Sequence, residues 1–176
     1  MTPQEIIVRK SFAQQAEWCA KLGSMFTSRL VEGLGLELDR STAVGQKVVD
    51  WPGPPDALGD AVALRLAGAL HGLVRRGRLP DLAQHYPPNP LPVTETLTRA
   101  ALDAIGEADG EIAAWLEVPP QTNEVARSAI LYPGLMLVAL ETGLPLSLFE
   151  LGASAGLNLF PDRFFYRIGD MALGRS

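Results

Sequence analysis

Leu146-Ser147-Leu148-Phe149-Glu150-Leu151-Gly152-Ala153-Ser154-Ala155-Gly156-Leu157-Asn158 is the stretch on which the reading of this chain turns. Its first six residues form a short apolar run that stops at a glycine. That length and punctuation suit a buried strand. A glycine straight after a strand lets the chain turn without a Cβ clash. A second one four residues later lets a ligand approach the backbone where a helix begins. The carboxylate of Glu150 would then lie at the carboxyl end of the strand, where open α/β sheets bind ligands. There it can accept hydrogen bonds from an ammonium group and offset the positive charge of a sulfonium.

Upstream, the period is helical. Thr2-Pro3-Gln4-Glu5 has a capping Thr, Pro at the first helical position and Glu three residues after the cap. Apolar positions follow at helical spacing to Phe26 and Leu30, and Gly33 and Gly35 are expected to end the pattern. Ser41 can cap a short helix to about Val49, and Trp51-Pro52-Gly53-Pro54-Pro55 reads as a rigid connector. From Asp56 to Arg76 the polar residues Arg65, Gly68, His71, Gly72 and Arg75 form one narrow stripe, which predicts a helix buried around most of its circumference. Further helices are expected at Asp81 to His85, Thr94 to Ile105 and Glu107 to Leu116, the last after a break at Gly106. Another is expected from Gln121 to Thr142, with a kink at Pro133-Gly134. Phe164 to Ile168 is a second, weaker strand candidate.

With 176 residues, 47% of them hydrophobic, the chain can bury one good core but not two full-sized ones. The net charge of −5 argues against a general nucleic-acid binder. The basic cluster Arg75, Arg76 and Arg78 falls where a helix should end and suits its C-terminus. Cys19, the single cysteine, excludes an internal disulfide and a multi-cysteine metal site, and it shares a helical stripe with Val8, Phe12, Ala16, Leu22 and Phe26, which makes it a small core residue. His71 and His85 have no partner at metal-ligand spacing, so no metal site is expected. The N-terminus lacks the continuous apolar core of a secretory signal, and Ala129 to Leu140 is shorter than the roughly 18 residues of a membrane span. A soluble cytoplasmic protein is the expectation.

Glu150, Gly152 and Gly156, spaced as Glu-x-Gly-x-x-x-Gly, resemble the first motif of class I methyltransferases, with Ser154 where a middle glycine is common. The longer run Phe149 to Leu159, preceded by Pro120-Gln121-Thr122-Asn123-Glu124-Val125 and Arg127-Ser128, is similar to the bacterial domain-of-unknown-function family 2332. The resemblance implies a helical region followed by a methyltransferase-like domain that binds S-adenosylmethionine, without an established activity. It also implies that members continue beyond Ser176, leaving this chain as an N-terminal portion without catalytic or substrate-binding parts.

The expectation is therefore a mainly α chain: a helical region over residues 1–143, then the first strand, turn and helix of a Rossmann-like α/β domain over 144–176, apparently truncated. Glu150, Gly152, Ser154, Gly156 and Asn158 are the candidate cofactor residues. Gln121, Asn123, Glu124 and Arg127 are candidates for the mouth of the site, since their helix feeds into the strand. Capping and a Glu124–Arg127 surface pair explain those four equally simply. A buried strand also needs neighbours, and an unpaired buried backbone group costs about 1–3 kcal/mol. Phe164 to Ile168 could fold back against it, a second copy could pair with it, or the rest of the domain could be missing.

Other functions fit parts of the sequence. Gly152-Ala153-Ser154-Ala155-Gly156 also spells the nucleophile elbow of an α/β hydrolase, but no histidine follows His85 to complete a Ser154 triad. A non-catalytic helical interaction module needs no cofactor at all. Asp170 stands near the spacing of a ribose-binding acid, but the intervening chain, with Pro161 in it, is short for a crossover helix plus strand, and Gly169-Asp170 reads better as a surface turn.

Overall fold

The computed structural model describes residues 1–120 and 124–174. The chain divides into two compact units, Met1–Pro120 and Gln121–Ser176.

In the first unit, α1 (Pro3–Lys21) starts as its sequence dictates, with Thr2 Oγ1 accepting the Glu5 N–H at 3.1 Å. Val8, Phe12, Ala16 and Cys19 line its buried side. The helix breaks at Gly23, whose φ of 82° is left-handed, and α2 (Met25–Glu37) then runs straight through Gly33 and Gly35. Those glycines were expected to stop a helix. Instead they let neighbouring helices close on α2. A Cβ at Gly33 would overlap the Thr98 side chain, and one at Gly35 would lie 2.6 Å from Phe12 Cβ.

The cap of α3 (Ala43–Val49) is Thr42, which accepts the Gly45 N–H at 3.0 Å, while the Ser41 N–H donates to Asp39 Oδ1. Helix α4 (Val62–Arg75) begins later than expected because Asp56 Oδ1 instead holds a turn through the N–H groups of Leu58 and Gly59. Leu66, Ala69, Leu70 and Leu73 of α4 are fully buried. Gly68, His71 and Arg75 of the polar stripe are exposed, whereas the Arg65 side chain lies over Trp51 and donates to the Leu116 carbonyl, and Gly72 packs against Trp115. After α5 (Pro80–Ala83) come α6 (Thr94–Glu107) and α7 (Asp109–Trp115). The break between these two falls at Ala108 rather than Gly106, since a glycine costs a helix about 1 kcal/mol but does not by itself end it. Asp109 accepts the Ala43 and Val44 N–H groups, both at 2.8 Å, so α7 caps α3 from across the core.

The basic cluster at the end of α4 is used within the unit. Arg76 stacks over Trp115 with 5.0 Å to the ring centroid, and Arg78 pairs with Glu111 at 2.5 Å. Gly68 lies on the exposed side of α4, and a Cβ added there would meet nothing within 4 Å. Gly68→Ala should therefore raise the stability of this unit by about 0.5–1 kcal/mol, read as a higher urea midpoint.

Glu5 is a buried acid clamped by two cations. Its Oε1 lies 2.8 Å from Arg9 and its Oε2 3.1 Å from Arg40. Arg9 also donates to the carbonyls of Gly35, Leu36 and Leu38, tying α1 to the end of α2. The hydrogen bond from Arg9, then that from Arg40, hold the Glu5 carboxyl below its ordinary value despite burial. A depressed carboxyl stabilises the fold above its unfolded-state pKa, and that contribution is lost as pH falls through the folded one. Acid should therefore lower the melting temperature across and below the ordinary carboxylate range. Glu5→Gln should be less stable at neutral pH and show a shallower decline.

In the second unit, a 3₁₀ turn at Val125–Arg127 leads into α8 (Ser128–Thr142), which Gly143 closes at φ 67°. The helix was expected from Gln121. Gln121, Thr122 and Asn123 lie outside the described residues, and Glu124 is not helical. Helix α8 is apolar on every side and only Ser128 is buried; Ile130 and Leu140 are 81% and 80% exposed. Together with the preceding turn it gives 18 helical residues, Val125–Thr142, long and apolar enough by composition to cross a membrane. A helix enclosed on all sides in a protein core has the same character.

Leu146–Leu151 departs most from expectation. The segment is not helical, but neither does it join a sheet among the described residues, and Leu151 already belongs to the turn with Gly152. Leu146 and Leu148 line a hollow of about 220 Å³ with Tyr132, Leu135 and Met136 of α8. Phe149 and Leu151 are 93% and 101% exposed. This alternation is that of a strand. The expected buried strand is not formed, because no neighbouring strand lies beside it among the described residues.

Beyond Gly156 the expected helix start is a single 3₁₀ turn, Leu157–Leu159, followed by another at Pro161–Arg163. Pro161 has no N–H to extend a helix from Leu157, so the first turn is not propagated. Phe164 to Ile168 yields β1 (Tyr166–Ile168), which pairs with β2 (Met171–Leu173) in an antiparallel hairpin and not with the Leu146 run. Asp170 sits in the hairpin turn beside Gly169, which takes φ 58°. Tyr132 stacks on Tyr166 at 5.4 Å, and the Tyr166 hydroxyl donates to the Pro161 carbonyl at 2.7 Å. The described residues are thus mainly helical with one two-stranded sheet; they form no Rossmann-like sheet.

Candidate cofactor site

The glycine turn has a regular backbone. Gly152, Ser154 and Gly156 all take left-handed conformations, with φ of 68°, 51° and 70°. A residue with a Cβ costs roughly 1–2 kcal/mol in that region. Ser154 therefore occupies a conformation that glycine adopts without strain. A side chain added at Gly152 would meet nothing within 4 Å, and one at Gly156 would meet only Leu159 Cδ1 at 3.8 Å. The backbone of the turn is thus open on the side where a ligand would approach.

Polar groups flank that opening. Glu150 is partly buried between the exposed Phe149 and Leu151, and its buried Oε2 has no hydrogen-bond partner among the described residues. Asn158 donates from Nδ2 to the Glu124 carbonyl at 3.4 Å, whereas its buried Oδ1 has no partner among the described residues. Buried acceptors are normally satisfied, so two such atoms at the ends of one turn call for a donor. Ser154 is exposed and engaged in an interaction of its own.

The four mouth candidates fare differently. Asn158 comes to Glu124, joining the turn to the start of the helical segment. Glu124 and Arg127 form an exposed ion pair at 2.7 Å, the simple surface pair that their spacing allows. Gln121 and Asn123 lie outside the described residues. Neither of two hollows beside α8 is lined by Glu150, Gly152, Gly156 or Asn158: the first is the one at Leu146 and Leu148, and the second, of about 900 Å³, lies between α8 and the β-hairpin.

One feature of the first unit escaped sequence reading. Asp81, Glu95, Asp103 and Glu107 surround a hollow of about 390 Å³ with His85 and Arg99. Glu95, Arg99, Asp103 and Glu107 recur every four residues and so share one side of α6. Among the described residues no group of three or more His, Cys, Asp or Glu side chains could hold a metal ion.

A family model described as "Uncharacterized protein conserved in bacteria (DUF2332)" matches residues 9–176. No curated protein and no solved structure matches the chain.

Proposed function

The chain belongs to this family of uncharacterised bacterial proteins, and on that footing we propose that it carries the cofactor-binding part of an S-adenosylmethionine-dependent methyltransferase-like protein. The observation that carries the proposal is the left-handed alternation of Gly152, Ser154 and Gly156 directly after Glu150. It exposes backbone at the point where the motif would seat a charged small molecule. The unpaired Glu150 Oε2 fits a cationic ligand, because a carboxylate oxygen without a partner gains most from a charged donor.

When bound, S-adenosylmethionine supplies an electrophilic methyl group on a sulfonium. Glu150 would orient its cationic end, while Gly152 and Gly156 would let it lie against the backbone. The acceleration would come chiefly from holding two reactants in line. In this proposal Leu146–Leu151 becomes a central strand when neighbouring strands pair with its free edges. Both of its faces are apolar, as central strands of α/β sheets require. The protein would act in the cytoplasm, and the methyl acceptor would be bound outside the turn.

Photo-crosslinking with methyl-labelled S-adenosylmethionine tests this. Label should appear in the peptide containing Glu150 to Asn158 and be competed by unlabelled cofactor. Label spread over both units, or confined to Met1–Pro120, would refute the proposal.

A further inference from the structure

We infer that the free face of α8 is a two-fold symmetric, antiparallel docking surface for a second copy of this chain. The inference does not depend on the cofactor proposal. Helix α8 has two apolar sides. One of them, with Tyr132, Leu135 and Ala139, borders the hollow at Leu146 and Leu148. The opposite side carries Ile130, Leu131, Gly134 and Val138, none of which lines either hollow beside the helix. Ile130 is 81% exposed, Leu131 and Val138 are each 47% exposed, and a Cβ added at Gly134 would meet nothing within 4 Å. An apolar patch left to solvent in this way marks an interaction surface.

Charge and symmetry select the occupant. Arg127 and Glu141 lie seven residues before and after Gly134, so all three share one side of the helical stretch Val125–Thr142. Ile130 and Val138 stand four residues either side of the same glycine. The face is thus balanced in size about Gly134 and opposite in charge at its two ends. When two copies pack antiparallel with their Gly134 residues at the crossing, Arg127 of each comes level with Glu141 of the other, and Ile130 with Val138. The charges then pair twice, and the glycines let the two backbones close. A parallel pair would instead bring like charges together. Arg127 holds Glu124 in an exposed pair at 2.7 Å, and such a pair costs little to rearrange. One patch meeting its own copy is the geometry of an isologous dimer. A lipid surface matches less well, because helices that lie on membranes are rich in basic residues, whereas this face ends in one cation and one anion.

Sedimentation of this chain across micromolar concentrations tests the inference. The wild type should show a reversible monomer–dimer equilibrium. Arg127→Glu and Glu141→Arg should each weaken it about tenfold or more, because two attractive pairs become two repulsive ones. An equimolar mixture of the two variants should recover the dimer, since every pair across the interface is then opposite in charge. Both side chains are exposed, so helix content and the tryptophan-monitored transition should stay in place. A wild type that is monomeric throughout, or that is monomeric in buffer and floats with phosphatidylcholine vesicles, would overturn the inference. So would a dimer indifferent to both charge changes, or a mixture that fails to recover it.

Discussion

Gly33→Leu is expected to lower the stability of the first unit by about 3 kcal/mol, at the upper end of overpacking penalties. Helix α2 meets α6 at this residue. Thr98 is fully buried there, with its hydroxyl donating to the Thr94 carbonyl at 2.8 Å, so it has no free direction in which to retreat. The first methyl added at Gly33 already overlaps the Thr98 side chain. Leucine must therefore push the helices apart and open the layer containing Leu34, Leu97 and Ala101, all at most 1% exposed. Trp18, Trp51 and Trp115 are the only tryptophans and all belong to this unit, so fluorescence in a urea titration reports its unfolding directly. A second change, Thr98→Ala, should restore part of the loss. An unchanged midpoint for Gly33→Leu would mean that α2 and α6 do not close on each other.

Gly152→Val is expected to weaken S-adenosylmethionine binding by tenfold or more while leaving the tryptophan-monitored transition in place. The residue adopts φ 68°, where a β-branched side chain is most strained. Relief of that strain would swing the backbone out of its left-handed alternation and move Glu150 relative to Gly156. Nothing packs within 4 Å of the added Cβ, so the effect would come from backbone conformation and ligand approach rather than from a core clash. Loss of the fluorescence transition together with binding would instead point to general unfolding.

Helical elements were legible where local signals agree. Thr2, Pro3 and Glu5 set the first helix start, and the apolar stripe of α4 located its buried side. Errors arose where a residue's role depends on a distant neighbour. Gly33 and Gly35 look like terminators until Thr98 and Phe12 are seen against them, and Asp109 capping α3 leaves no mark near Ala43. Leu146–Leu151 shows the same limit. Its alternation is encoded locally, whereas a strand requires hydrogen bonds from other segments.

The candidate site was legible to a similar depth. Glu150 and the flanking glycines stand out by spacing, and the left-handed conformations fit that pattern. The engagement of Asn158 with Glu124, 34 residues earlier, and the buried unpaired oxygens could not be read from the sequence. Ser154 carries two motifs at once. Its left-handed conformation is one that glycine adopts without strain, and no histidine follows His85 in the sequence.

The most direct test of the account is a calorimetric titration of S-adenosylmethionine into the wild-type chain and into Glu150→Ala. The account predicts saturable heat from the wild type and a loss of about tenfold or more in affinity for the variant. Indistinguishable titrations, or no heat from the wild type, would contradict it.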